Sequence, residues 1–242
     1  MSVSAKPGAA ALCIERVEFR WPGKHRFQLS IESFDVKQDE RVLILGPSGA
    51  GKSTLLSLIC GIATPQAGAI TVLGQNLAAM SPAGRDRFRA EHIGVIFQMF
   101  NLLPYASALD NVLVPLSFAP LRRRRVNANC PEKEEAARLL VALGLDERQI
   151  STGRAAELSV GQQQRVAAAR ALVGAPELIV ADEPTSALDT ATQDAFLELL
   201  FGQAKEARTA LLMVSHDERL SGHFDRTAQL SDIATVRRGE HP

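Results

Sequence analysis

The chain has 242 residues, enough for one large domain or one domain carrying an inserted subdomain. Lys+Arg and Asp+Glu both number 27, and a formal net charge of +0 argues against an electrostatic nucleic-acid binder. A hydrophobic content of 46% can supply a sizeable core. No run approaches the roughly 18 consecutive apolar residues of a membrane span, and the N-terminus lacks a signal peptide's apolar core, so a cytoplasmic protein is expected. Cys13, Cys60 and Cys130 share no metal or redox spacing and read as small hydrophobes in a reducing compartment.

Residues 1–10 are small and polar and are expected to be disordered. Leu12, Ile14, Val17, Phe19 and Trp21, then Phe27, Leu29 and Ile31, predict two antiparallel strands joined by a Pro22-Gly23 turn. Trp21, the single tryptophan, is open to two readings: a half-buried strand aromatic, or a platform on which an adenine ring stacks.

Arg41–Leu45 reads as a buried strand, and Thr54–Ile59 as a helix. Between them Gly46-Pro47-Ser48-Gly49-Ala50-Gly51-Lys52-Ser53 matches G-x-x-x-x-G-K-[ST], the phosphate-binding loop. Its glycines let successive N–H groups curl toward phosphate oxygens at a helix N-terminus. Lys52 is placed for the β- and γ-phosphates, and the Ser53 hydroxyl for Mg²⁺.

Ala69–Gly74 predicts a short strand ending in a turn, and Ile93–Phe97 a buried strand running into Gln98. Ser107 with Asp110 resembles a capping box, with Asp in place of Glu or Gln. Pro131 and Gly144 bracket a helix over 132–143. The Arg122–Arg125 run is expected to be a solvated loop, the other reading being contact with anionic lipid or a partner loop. Ser159 and Gln162 form a second capping box opening a helix that Pro176 stops. Leu178–Ala181 reads as a central parallel strand ending in Asp182-Glu183. A helix over 189–201 and a strand over 209–214, which delivers His216, follow.

This alternation predicts an α/β protein with a P-loop NTPase (RecA-like) core and a largely parallel sheet. An antiparallel β subdomain near the N-terminus and an inserted α-helical subdomain complete it. The nucleotide-binding core is expected over 11–98 and 177–242, the helical subdomain over 99–176. The P-loop, Gln98, Asp182-Glu183 and His216 all fall at strand C-terminal ends, which line one crevice of a parallel sheet. There Asp182 suits a Mg²⁺ hydration shell, Glu183 a water attacking the γ-phosphate, and His216 a γ-phosphate contact.

Over essentially its whole length the sequence resembles the ATP-binding subunits of ABC transporters. Gly46–Ser53 matches their Walker A loop, Leu178–Asp182 their Walker B strand, and Glu183 their catalytic glutamate. Gln98 matches the Q-loop, Ser186–Asp189 the D-loop, and His216 the switch histidine. Leu158-Ser159-Val160-Gly161-Gln162 matches the L-S-G-G-Q signature with Val160 in place of glycine. Ser231-Asp232-Ile233 departs from a common turn pattern without expected consequence.

The resemblance implies a homodimer paired head to tail around two ATP and Mg²⁺, at the cytoplasmic face of the inner membrane. Integral-membrane permease subunits are supplied by another chain, and nucleic acid is not a partner. The site it implies has Glu183, His216 and Gln98 in catalysis, with Ser53, Gln98 and Asp182 on the metal. Trp21, Gly46–Ser53, Thr54, Ser159, Gly161, Gln162 and Asp189 are implied on the nucleotide. Phe97–Pro104 and Asp110–Leu116 look like the lipoprotein-release, macrolide-efflux and glycolipid-export (LolD/MacB/DevA-like) subfamily. An amino-acid-type importer subunit, or a cell-division ATPase that signals to a membrane protein without transport, stands as the alternative. The compact interval between P-loop and signature, without sustained heptads, argues against the DNA-repair relatives.

Overall fold

The computed structural model describes residues 10–21, 27–151 and 153–238. Strands β1 (Ala10–Arg20), β2 (Phe27–Lys37) and β3 (Arg41–Leu45) precede helix α1 (Lys52–Ile59). Strands β4 (Ala67–Val72) and β5 (Gln75–Asn76), then helix α2 (Pro82–His92), lead to β6 (Ile93–Ile96). A helical stretch holds α3 (Ala108–Leu113), α4 (Pro120–Asn127), α5 (Glu132–Ala142), α6 (Glu147–Ser151) and α7 (Val160–Leu172). Then come β7 (Leu178–Asp182), α8 (Thr190–Glu206), β8 (Ala210–Ser215), β9 (Arg226–Gln229), α9 (Leu230–Ile233) and β10 (Ala234–Arg238). The chain forms two compact units, Met1–Asp86 with Leu212–Pro242, and Arg87–Leu211; α2 and β8 run across the divisions.

The first unit carries an antiparallel sheet of order β10-β2-β1-β4-β5. In β1 the apolar side chains change phase, with Leu12 and Ile14 buried, then Val17 and Phe19. The extra residue is a bulge at Arg16, which takes φ 48, and the pairing of β1 with β4 shifts register there. Gly68 is required opposite it, because a Cβ there would lie 2.2 Å from the Arg16 carbonyl oxygen. In the same unit β3 pairs in parallel with β9, and Val42, Leu43 and Ile44 are fully buried, as a strand covered on both faces must be. The Gly46 N–H donates to the Ser215 carbonyl (3.1 Å), so the ends of β3 and β8 lie side by side.

In the second unit β6 and β7 pair in parallel, Ile93 opposite Leu178 and Ile96 opposite Ala181. Helix α7 is buried on every side from Val166 to Ala169, in this unit's core. The approach is close: a Cβ on Gly94 of β6 would sit 2.4 Å from the Ala171 carbonyl oxygen. Helix α7 ends at Leu172, ahead of Pro176 as the apolar pattern expects, and Gly174 turns the chain there with φ +72. Helix α8 runs five residues beyond its expected end, to Glu206. The Ser107 cap is present with a shorter reach: its hydroxyl accepts from the Asp110 N–H (3.0 Å) and donates to the Asp110 carboxylate (2.7 Å).

Two readings need correction. Helix α2 covers a stretch to which the sequence assigned nothing, since the one side chain it buries is Glu91. The Arg122–Arg125 run lies on helix α4, not in a solvated loop. Arg122 is only 2% exposed, its guanidinium donating to the carbonyls of Val173 (Nε, 2.8 Å) and Ala171 (Nη2, 2.8 Å). Arg125 pairs with Glu177 and Arg123 with Glu132, so the run is largely consumed internally. The Pro22-Gly23 turn and the disorder expected at 1–9 lie outside the described residues; Ala10, grouped with the latter, opens β1.

Candidate functional site

The apolar strand β3 delivers the chain at Gly46, where it must reverse into α1. Gly49 (φ 78) and Gly51 (φ 108) supply the left-handed residues this needs. Gly51 caps α1 without a side chain, and the first turn contains no acidic residue. Its opening N–H groups carry the positive end of the helix dipole, and the Gly51 N-cap brings no side-chain oxygen of its own. Lys52 is 5% exposed, and its ammonium donates to the carbonyls of Gly46 (2.6 Å) and Pro47 (3.1 Å). A buried cation beside a glycine-led helix N-terminus is a donor set for a polyphosphate. The exposed Ser53 hydroxyl, one residue on, is a hard oxygen of the kind Mg²⁺ takes.

Trp21 is braced next to this helix. Its Nε1–H donates to Thr54 Oγ1 (3.2 Å), and its ring stands edge-on to Phe19 (5.0 Å, 85°). His216 follows Ser215, so the bond between Gly46 and Ser215 sets the histidine at the P-loop's edge of the first unit. Trp21, the P-loop, Thr54 and His216 are thus gathered within one unit.

The second unit groups the rest. Because β6 and β7 are in register, Gln98 and Asp182-Glu183 leave the same sheet edge. Glu183 is 9% exposed and holds φ 43, an unfavourable conformation for a non-glycine residue that costs on the order of 1–3 kcal/mol. Ser159 caps α7 in a reciprocal box, accepting from Gln162 N–H (3.3 Å) while its own N–H donates to Gln162 Oε1 (2.8 Å). Val160 is at the first helical position and 49% exposed, a place that demands no glycine backbone. Gly161 faces Leu188, so signature and D-loop adjoin. Asp189 caps α8, and the Thr192 amide and hydroxyl hold its carboxyl below the usual range.

In the loop after Gln98, Met99 is 83% and Tyr105 72% exposed, whereas Phe100 is turned into the unit's own core. Sequence reading missed Arg170 of α7, whose guanidinium meets that loop's backbone. The available signal was a charged residue inside the apolar run Val166–Leu172.

Residues 29–186 match the family described as ABC transporter. The chain is 41% identical, over 81% of its length and 79% of the relative's, to the lipoprotein-releasing system ATP-binding protein LolD of Chromohalobacter salexigens. It is 40% identical to the uncharacterized ABC transporter ATP-binding protein YbbA of Escherichia coli K12, covering 81% and 82% of the two chains. Among solved structures it is similar to the post-hydrolysis dimer of the ATP-binding cassette MJ0796 bound to ADP and Pi. That likeness has a TM-score of 0.75 at 30% identity, over 90% of this chain and 93% of that one. Among the described residues no helix is long and apolar enough to cross a membrane. The chain therefore belongs to the ABC transporter family, as one of its LolD-like ATP-binding, ATP-hydrolysing subunits.

Proposed function

We propose that two copies of this chain close head to tail around two ATP and drive the release or export of a lipid-like substrate. The membrane passage belongs to a separate permease, with this subunit docked on the cytoplasmic face of the inner membrane. The observation that carries the reading is the 41% identity to a lipoprotein-releasing ATP-binding protein across four-fifths of the chain.

In this reading the P-loop backbone of 46–51 wraps the phosphates and the Lys52 ammonium binds them, with Thr54 at the loop's exit and Trp21 under the adenine. Mg²⁺, which neutralises charge developing on the phosphates, would be held by the Ser53 hydroxyl, the Gln98 amide oxygen and Asp182. Glu183 orients the attacking water and takes its proton, and its strained, nearly buried position suits one fixed geometry. His216 donates toward the γ-phosphate. Ser159 and Gly161, with Gln162 shaping their turn, offer a second helix N-terminus to the ATP of the partner copy, and Asp189 lies on the facing loop. The core of 11–98 and 177–242 does the chemistry, and the helical part, 99–176, reports to the permease.

The test is Glu183→Gln. It should retain ATP binding, lower turnover by roughly 10²–10⁴-fold, and run as a dimer on gel filtration with Mg-ATP. Co-purified with its membrane partner, it should lock a lipid-modified peptide in the complex. Turnover like the unaltered chain's would assign the base elsewhere, and a partner that binds amino acids would replace the substrate class.

A further inference from the structure

The loop that follows Gln98 does not hold its own shape. Phe100 (φ 57) and Asn101 (φ 50) are consecutive left-handed residues, and neither is glycine. Local bonds make only the turn itself, with Phe100 N–H to the Phe97 carbonyl (3.0 Å) and Asn101 N–H to the Met99 carbonyl (2.6 Å). What spans the turn from outside is Arg170, in the last turn of α7. Its Nη1 donates to the Asn101 carbonyl (2.7 Å) and its Nη2 to the Phe100 carbonyl. The planar guanidinium presents its two Nη groups to two adjacent carbonyls at once, in a fixed fork geometry.

The end of α7 that carries Arg170 is itself anchored. Arg122 holds the Ala171 and Val173 carbonyls, and Gly94 admits the helix against β6. A cavity of about 260 Å³, bounded by Arg122, Arg170, Phe97, Asn101 and Pro115, lies under the loop. Phe100 packs inward and Asn111 holds the far side of the loop at Leu103, while beside that space the guanidinium is the side chain that meets the turn's own carbonyls. Helix α7 is also the helix whose N-terminus is the Ser159-Val160-Gly161 signature.

We infer that Arg170 is a positioning residue: it holds the Gln98 loop in its left-handed turn and joins that loop to the signature helix. A shift of α7 then reaches Gln98 as a displacement of the whole loop. This rests on the reading of Gln98 as a Mg²⁺-side residue.

The experiment uses the full chain and the variants Arg170→Ala, Arg170→Lys, Gln98→Ala and the Arg170→Ala/Gln98→Ala double. In Arg170→Ala, amide exchange across 97–105 should quicken on the order of tenfold, with 160–172 unchanged and Arg170→Lys in between. Unchanged exchange, or quickening spread through α7, overturns the inference. The second readout is the Mg²⁺ concentration that half-saturates ATP hydrolysis. It should rise several-fold in Arg170→Ala, as in Gln98→Ala, and the double variant should be no worse than Gln98→Ala. Additive effects overturn the link between the two residues. A Gln98→Ala variant with unaltered Mg²⁺ dependence removes the metal reading of Gln98, and amide exchange alone then decides whether Arg170 holds the loop.

Discussion

Arg122→Ala should destabilise the protein by about 3 kcal/mol, although it removes one of four consecutive arginines far from the P-loop in sequence. Truncation orphans the Ala171 and Val173 carbonyls at the end of α7, at about 1–3 kcal/mol each. Losing the buried aliphatic stem adds about 2 kcal/mol. Against this, burial pushes the Arg122 pKa down to about 10, helped by the Arg125 charge, a penalty of about 3 kcal/mol that truncation returns. The sum stays unfavourable because the carbonyls remain buried with nothing to replace the guanidinium. Urea unfolding at pH 7 should show the midpoint falling by about 1 M, with Arg122→Lys in between. A solvated arginine would change stability by under about 0.5 kcal/mol, so an unmoved midpoint refutes the buried-fork argument.

Trp21→Ala should weaken ATP binding by about 1–3 kcal/mol if the ring stacks on the base; unchanged affinity, read with a fluorescent nucleotide, returns it to a purely structural role. Charged substitutions at Leu102 and Tyr105 should leave basal ATPase activity and Tm near normal while abolishing recruitment to permease-containing membranes. Unfolding would mark these residues as core, and normal recruitment would place docking elsewhere. Glu177 bears on pH. Burial alone would raise its carboxyl, but hydrogen bonds from His92 and Arg125 bring it below the ordinary range. A lowered folded pKa stabilises fully above the unfolded value of about 4.3 and is lost as pH falls through the folded one. The stability gap between the unaltered chain and Glu177→Gln should therefore shrink as the pH falls below about 4. A gap that persists to about pH 3 would contradict the pairing.

Local signals carried much of the architecture. The apolar run of β3 announced a buried strand and that of β7 one covered on both faces, and both are buried. Ser107, Ser159 and Asp189 stand at helix starts because a short oxygen-bearing side chain satisfies the first free N–H groups wherever the helix ends up. The P-loop was legible for the same reason, since its glycines and lysine act within eight residues. These features need only neighbours in the chain, and the sequence by itself determined them.

What only the tertiary structure decided involves partners far along the chain. Helices α2 and α4 lack an apolar stripe, as their contacts run through Glu91 and Arg122 to backbone groups rather than through oil-like faces. Four successive arginines look solvated until the end of α7, some 50 residues away, presents its carbonyls to one of them. Phe100 turns inward while Met99 and Tyr105 stay out, a choice made by the left-handed turn that Arg170 spans. A hydrogen bond across 70 residues leaves no periodicity in either segment. Composition can say that a charge is present, but only the packed fold says whether water or a carbonyl satisfies it.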